Sequence, residues 1–397
     1  WRGLWSAARG LWARFGNVTS DPALVAGLLA VILLLAGILR FTGLDWDNHQ
    51  HLHPDERFLT MVENSLQWPK SFREYLDTAS NPLNPYNKGH GTFVYGLSPL
   101  VLAKFLGQIS GKTGYDGVYL AGRAMSAGMD MLCVVLVFMI GKRLYDARVG
   151  LVGALLLSLS VLNIQHSHFF TVDSATTLFV TLALYMAVLV AQGRGWGAIV
   201  LLGVAFGLAV SAKISVLTFL AVIGLAYVLR IAAQWKRAQA AWAARPSAAG
   251  MDLRGRMGQW FLSLRLEPNP LTPPNKVEAL FWLALRALLS GIVLVFIAAM
   301  VFRVVQPQAF VGPGLFDFSI NPKWREDMKY IQELVSGKID YPPSHQWAGR
   351  EPIWYMWKNM VLWGLGLPLG LAVWASWAFM AYEMYRKRVM AHLLPWV

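Results

Sequence analysis

About eight apolar stretches, each close to the length that crosses a bilayer, divide this chain from end to end. A hydrocarbon core ~30 Å thick needs about twenty consecutive apolar residues in helical form. Only helices and closed barrels satisfy every backbone polar group there. The stretches run approximately over 23–41, 118–140, 149–165, 172–191, 196–211, 214–231, 279–303 and 354–381. Taken as one helix, 196–229 would be about 50 Å long, so it divides at its only polar point, Ser211-Ala212-Lys213. Charged residues make up 14% of the chain, against about 25% in soluble domains. The predicted fold class is an all-α polytopic membrane protein, with in-plane helices in a long first outer loop.

A formal net charge of +13 would suit a nucleic-acid binder. The basic residues instead sit at the ends of apolar spans, so the charge is a topology signal and no nucleic-acid partner is expected. With the N-terminus cytoplasmic, the inner segments carry Arg2, Arg9 and Arg14, then Lys142, Arg143 and Arg148, then Arg194. Further along they carry Arg230 to Lys276, and finally Arg386, Lys387 and Arg388. The outer loops 42–117 and 304–353 mix basic residues with at least as many acids. The predicted organisation is an amphipathic arm over 1–22, a core of six spans over 23–231, a basic cytoplasmic loop over 232–278 and two last spans over 279–397. Leu4, Trp5, Leu11, Trp12 and Phe15 against Arg2, Arg9 and Arg14 suit a helix lying in the membrane surface. The basic loop reads as a surface helix and a proline-stiffened connector. Tyr95 to Ile109 carries Lys104 and Gln108, which suits an in-plane or re-entrant helix better than a further span.

On this topology the unexpected polar residues gather on one side. Asp55 and Glu56 lie in the first outer loop, and His166, His168 and Asp173 at the turn into the fourth span. Lys213 lies at the turn after the fifth, Arg123 near the outer end of the second, and Arg303 and Arg350 at the last outer loop. Such ionisable residues near lipid are costly, and a functional site is the default reading. Each also has a plain alternative. Pro54-Asp55-Glu56 is an ordinary helix start, so capping and catalysis both stay open. Asp173 suits an N-cap, Lys213 a snorkelling side chain, and Arg123 with Asp130 a polar seam on one helix face. His49, His51 and His53 alternate, which in a strand puts them on one side. A divalent metal then has candidates in Glu56, His53, His166 and His168. Cys133, the single cysteine, reads as a small buried hydrophobe.

These residues, in this order and sidedness, resemble glycosyltransferase family 39 of the GT-C superfamily, whose members use polyprenyl-phosphate sugars. The likeness is carried by Pro54-Asp55-Glu56 after the first span, the acid Asp173 opening the fourth, and Gly122-Arg123 leading the second. Gly141-Lys142-Arg143-Leu144-Tyr145, Gly207 to Lys213 and, more loosely, Trp363 to Pro368 add to it. The resemblance implies a GT-C-like bundle in the cytoplasmic membrane, with an inverting transfer at its extracytoplasmic face. The donor would be a polyprenyl-phosphate-linked sugar, and the acceptor a protein, lipid or glycan. It implies Asp55 as the base that deprotonates the acceptor, and Glu56 as a group orienting the acceptor or holding a metal. Lys213 and Arg123 would neutralise the donor phosphate. Asp173 would be the second outer-loop acid; the outer-face grouping itself, not the resemblance, adds His53, His166, His168 and Arg350 as supporting residues. A non-catalytic subunit on the same scaffold, packed into a membrane complex, is the alternative.

Overall fold

The computed structural model describes residues 2–243, 276–387 and 392–396. Among them no β-strand forms; a single bridge joins Phe310 to Ile320. Helix α1 covers Arg2–Val18 and α2 covers Pro22–Phe41. Asp21 caps α2, accepting the Ala23 N–H at 2.8 Å, with Pro22 at the first helical position, where its missing N–H costs nothing. The first long loop holds α3 (Pro54–Ser65), α4 (Phe72–Leu76) and α5 (Leu97–Ser110). Then follow α6 (Tyr115–Leu144), α7 (Ala147–Ser158), α8 (Val161–Ser167), α9 (Val172–Ala191), α10 (Trp196–Ala212) and α11 (Leu220–Ala243). The last part holds α12 (Lys276–Val305), α13 (Pro322–Val335), α14 (Pro352–Asn359) and α15 (Leu367–Lys387).

Five helical segments among the described residues are long and apolar enough to cross a membrane: α2, α6, α9, Ile214–Arg237 and Leu280–Val305. The eight expected spans therefore need revision at three places. The fifth, α10, has 17 residues, short for a crossing. The third is a bent pair, α7 and α8, turning by 60°. Arg40 explains how a break can persist in apolar surroundings: its guanidinium donates to the carbonyls at the break, Leu157 at 3.1 Å and Ser158 at 2.9 Å. The same side chain pairs with Asp130 on α6, whose other oxygen accepts Asn163 Nδ2 at 2.9 Å. Broken backbone inside a membrane survives only where polar groups re-satisfy it, and these do. The eighth span breaks at Gly364–Gly366, where Gly366 takes a left-handed φ of 80°. The connector expected over 232–277 lies mostly outside the described residues; its start extends α11 to Ala243.

Small residues set the close crossings. A Cβ on Gly203 would stand 2.8 Å from Leu294 O, and one on Gly207 2.7 Å from Ala298 O. This four-residue spacing lets the α10 and α12 backbones approach, as membrane helices do where dispersion rather than water exclusion drives association. The same logic joins α6 to α7 at Gly141 and Gly150. The first loop is part of the packed interior: Leu59, Val62, Phe93, Leu97 and Leu100 cluster with Met125 and Met129 of α6 and Ala175 of α9. The two long loops lie at the same end of the bundle. Thr78 Oγ1 donates to Pro307 O at 3.1 Å, and Leu97 N–H to Gln306 Oε1 at 2.9 Å. Tyr86 OH donates to Asp327 Oδ2 at 2.8 Å.

Candidate functional site

Asp55 and Glu56 share the first turn of α3, yet their side chains enter different surroundings. The turn is fixed by Pro54 at the first position and by His53, whose Nδ1 accepts the Glu56 N–H at 3.3 Å. The motif does start a helix, but His53, and neither acid, supplies the cap. Glu56 points inward. Its Oε2 accepts Arg123 Nε at 2.9 Å and the Phe170 N–H at 2.7 Å, and its Oε1 takes a further bond from Arg123 Nη2. Arg123 also donates to Asp47 Oδ1 at 3.0 Å, to Asp47 Oδ2 at 2.9 Å and to Leu44 O at 2.6 Å. All five guanidinium N–H groups are committed, the full donor set of arginine. Arg123, Asp47 and Glu56 side chains are all 0% exposed.

This corrects two expectations. Arg123 has no donor left for a phosphate, and Glu56 has none of the freedom that an acceptor or metal role needs. The trio ties α3, α6, the chain after α2 and the turn before α9 into one unit. Gly122 makes it possible, because a Cβ there would stand 2.2 Å from the Phe170 ring. Asp47 went unnoticed in the sequence; its signal was an acid two residues from Asp45, immediately after a span. Burial works to raise the Asp47 pKa, but hydrogen bonds from Arg123 and Leu52 N–H outweigh it and hold the carboxyl below the usual range. Arg123 and Asp130 do not form one seam, since Asp130 belongs to Arg40.

Asp55 is half-buried near Tyr95, whose ring packs on Phe58 of the same helix with centroids 5.8 Å apart. Burial first, then the Asp55 charge and hydrogen bond, push the Tyr95 phenol pKa far up; Asp173 and Tyr341 add to it. Asp173, open in the sequence as either a cap or a site acid, reaches across: its Oδ1 accepts Lys213 Nζ at 2.8 Å, with the two side chains 35% and 50% exposed. Lys213 ends α10, and Gly96 seats the Tyr95 segment against that turn. A Cβ on Gly96 would lie 2.4 Å from Ser211 O. Asp55, Tyr95, Asp173 and Lys213 therefore meet at one end of the bundle, from four separate stretches of chain. Tyr95 carried no sequence signal beyond an aromatic residue before a glycine.

The remaining candidates act locally. Asn48, His49 and His51 have left-handed φ of 46°, 65° and 48°, so the histidine run is a tight turn and not a strand. His51 packs between Tyr115 and Tyr119, with ring centroids 4.2 and 4.6 Å away. The nitrogens of His168 lie 2.7 Å from Ile164 O and 3.0 Å from Thr42 O. His166 meets Phe169 edge-on at 6.4 Å. Arg350 is exposed and lies over the Tyr355 ring at 4.7 Å. The metal candidates Glu56, His53, His166 and His168 do not converge. Among the described residues no three His, Cys, Asp or Glu side chains gather as a metal would require.

Fold and site together define an all-α polytopic membrane protein with an ionisable cluster at the loop end of its bundle. Residues 101–246 match the family model described as dolichyl-phosphate-mannose-protein mannosyltransferase, and the likeness expected from the sequence is met over that segment. Arg123, Asp173 and Lys213 fall inside it, and Asp55 and Glu56 outside. Among curated proteins no relative matches. One similar solved structure is the S. cerevisiae protein O-mannosyltransferase complex bound to the sugar donor, at 17% identity and TM-score 0.46, covering 76% of this chain and 36% of that one. Another is the Archaeoglobus fulgidus oligosaccharyltransferase tethered with an acceptor peptide, at 13% identity and TM-score 0.49, covering 94% and 46%. The chain spans less than half the length of either.

Proposed function

We propose that this chain is an inverting glycosyltransferase, moving a sugar from a polyprenyl-phosphate donor to an acceptor at the extracytoplasmic face of the cytoplasmic membrane. The observation that carries the reading is the meeting of Asp55, Asp173 and Lys213 around Tyr95. Transfer from such a donor needs a base for the acceptor hydroxyl and a cation for the departing phosphate. Asp55 takes the hydroxyl proton as the acceptor oxygen attacks C1 of the sugar from the face opposite the phosphate. The C1–O bond to phosphate breaks with its electron pair leaving on the phosphate, whose added charge Lys213 balances. Lys213 is half-exposed and held by a single carboxylate, so an incoming phosphate can take over from Asp173. A membrane-embedded donor accounts for a bundle of spans around a water-facing reaction. Basic residues at the opposite end, among them Lys142, Arg143, Arg148 and Arg194, support a cytoplasmic position for that end.

The test is turnover of polyprenyl-phosphate mannose with a serine- and threonine-containing peptide, using the purified chain in liposomes. Asp55→Asn is expected to lower kcat by about 10²–10⁴, the worth of a general base, with donor binding retained. Wild-type rates in Asp55→Asn would remove Asp55 from the chemistry.

A further inference from the structure

A group of aromatic rings gathers one helical turn along α3 from Asp55. Phe58 follows Asp55 by three positions, so the two side chains leave the same side of the helix. Phe58 meets Tyr95 at 5.8 Å and Phe93 at 6.5 Å, the latter with ring planes 26° apart. Phe93 and Tyr95 meet edge-on at 6.2 Å. His90 closes the far edge, 6.3 Å from Phe58, with its Nε2 3.0 Å from Ser65 Oγ. Phe93 is 1% exposed and backs the group, whereas Phe58 and Tyr95 are only half-buried.

The second long loop and the end of α10 hold this surface in place. The Phe93 N–H donates to Asp327 Oδ2 at 2.9 Å, and the Leu97 N–H to Gln306 Oε1 at 2.9 Å. Gln306 Nε2 donates to Tyr95 O at 3.3 Å. Gly96 lies flush against Ser211 and Ala212, the two residues before Lys213. The rings therefore start on the helix that carries Asp55 and end beside the turn that carries Lys213. In an inverting transfer the sugar lies between the attacking oxygen and the leaving phosphate, which is the interval between that base and that cation. The surface offered there is aromatic. A pyranose has a face of C–H groups with its hydroxyls at the rim, so stacking on aromatic rings orients it without stripping the hydroxyls of water.

We propose that Phe58 and Tyr95 form the platform on which the sugar of the lipid-linked donor stacks, a hexopyranose with its C–H face on the rings. The proposal rests on reading the chain as a polyprenyl-phosphate-sugar transferase, and adds the residues that touch the transferred group. The platform contacts the sugar and not the phosphate, so it separates a sugar-bearing lipid from a bare one.

The test measures binding to the purified full chain in nanodiscs, once with polyprenyl-phosphate mannose and once with the same polyprenyl phosphate lacking the sugar. Phe58→Leu keeps an apolar side chain and removes the ring. Its Kd for the sugar-bearing lipid is expected to rise about three- to tenfold, the worth of one aromatic stack, while that for the bare lipid stays put. Tyr95→Leu should behave alike, and Phe58→Trp should recover most of the loss. An equal loss for both lipids overturns the platform, because it assigns the rings to the phosphate or to packing alone. Unchanged binding of both overturns it as well. A wild-type chain that binds the sugar-bearing lipid no better than the bare one removes the donor reading, and the platform with it. A wild-type chain that prefers the sugar-bearing lipid, beside variants that keep the preference, refutes the platform alone.

Discussion

Two carboxylates adjacent in sequence end in opposite circumstances, and their difference separates scaffold from candidate site. Glu56 is wholly buried, takes three hydrogen bonds and is locked through Arg123 to Asp47. Asp55, one residue earlier, is half-buried beside a phenol and near a half-exposed ion pair. A buried cluster whose arginine has every donor committed cannot rearrange without leaving a charge unpaired, so it holds elements together. A partly open cluster with exchangeable partners has room for a substrate. The separation follows from helix geometry: neighbouring residues on a helix point about 100° apart, so one turn can serve both ends.

Arg123→Leu probes the closed cluster hardest. It strands two buried carboxylates, and losing one partner of a buried pair costs about 3–5 kcal/mol. Thermal unfolding in detergent is expected to show that loss together with poor expression. A stable variant with a raised donor KM would instead return Arg123 to the phosphate. Acid sharpens the same contrast. The depressed Asp47 carboxyl contributes stability that is present above its unfolded value of 3.8 and is lost as pH falls through the lower folded value. Unfolding midpoints measured down through that window should therefore fall with pH, and less steeply in Asp47→Asn. Equal slopes would mean that Asp47 is not held by Arg123. The smallest stability effect belongs to the open cluster. Lys213→Ala breaks an exposed pair worth about 0–1 kcal/mol, so its melting point should barely move while donor KM rises more than acceptor KM. Equal changes for donor and acceptor would detach Lys213 from the phosphate.

The sequence carried the bundle further than it carried the candidate site. Apolar length and basic flanks placed α2, α6, α9 and α12 within a few residues, because hydrophobic thickness leaves little choice. The bend between α7 and α8 was hidden, since it depends on Arg40 arriving from a distant helix to take up two carbonyls. Asp55, Asp173 and Lys213 were legible because charge at a membrane edge is rare. Their neighbours were less so. Asp47 and Tyr95 acquire their roles only through partners 76 and 37 positions away, Arg123 and Phe58, and no local period encodes that. The histidine run misled for a related reason: alternation implies one face only in a strand, and left-handed backbone at three positions turned it into a tight corner.

Asp55→Asn and Glu56→Gln, made in the same preparation and compared for both sugar transfer from polyprenyl-phosphate mannose and thermal unfolding, test the division most directly. The expected result is an Asp55→Asn protein that melts like wild type but does not transfer, beside a Glu56→Gln protein with a clearly lowered melting point. An Asp55→Asn protein that transfers sugar at the wild-type rate would contradict it.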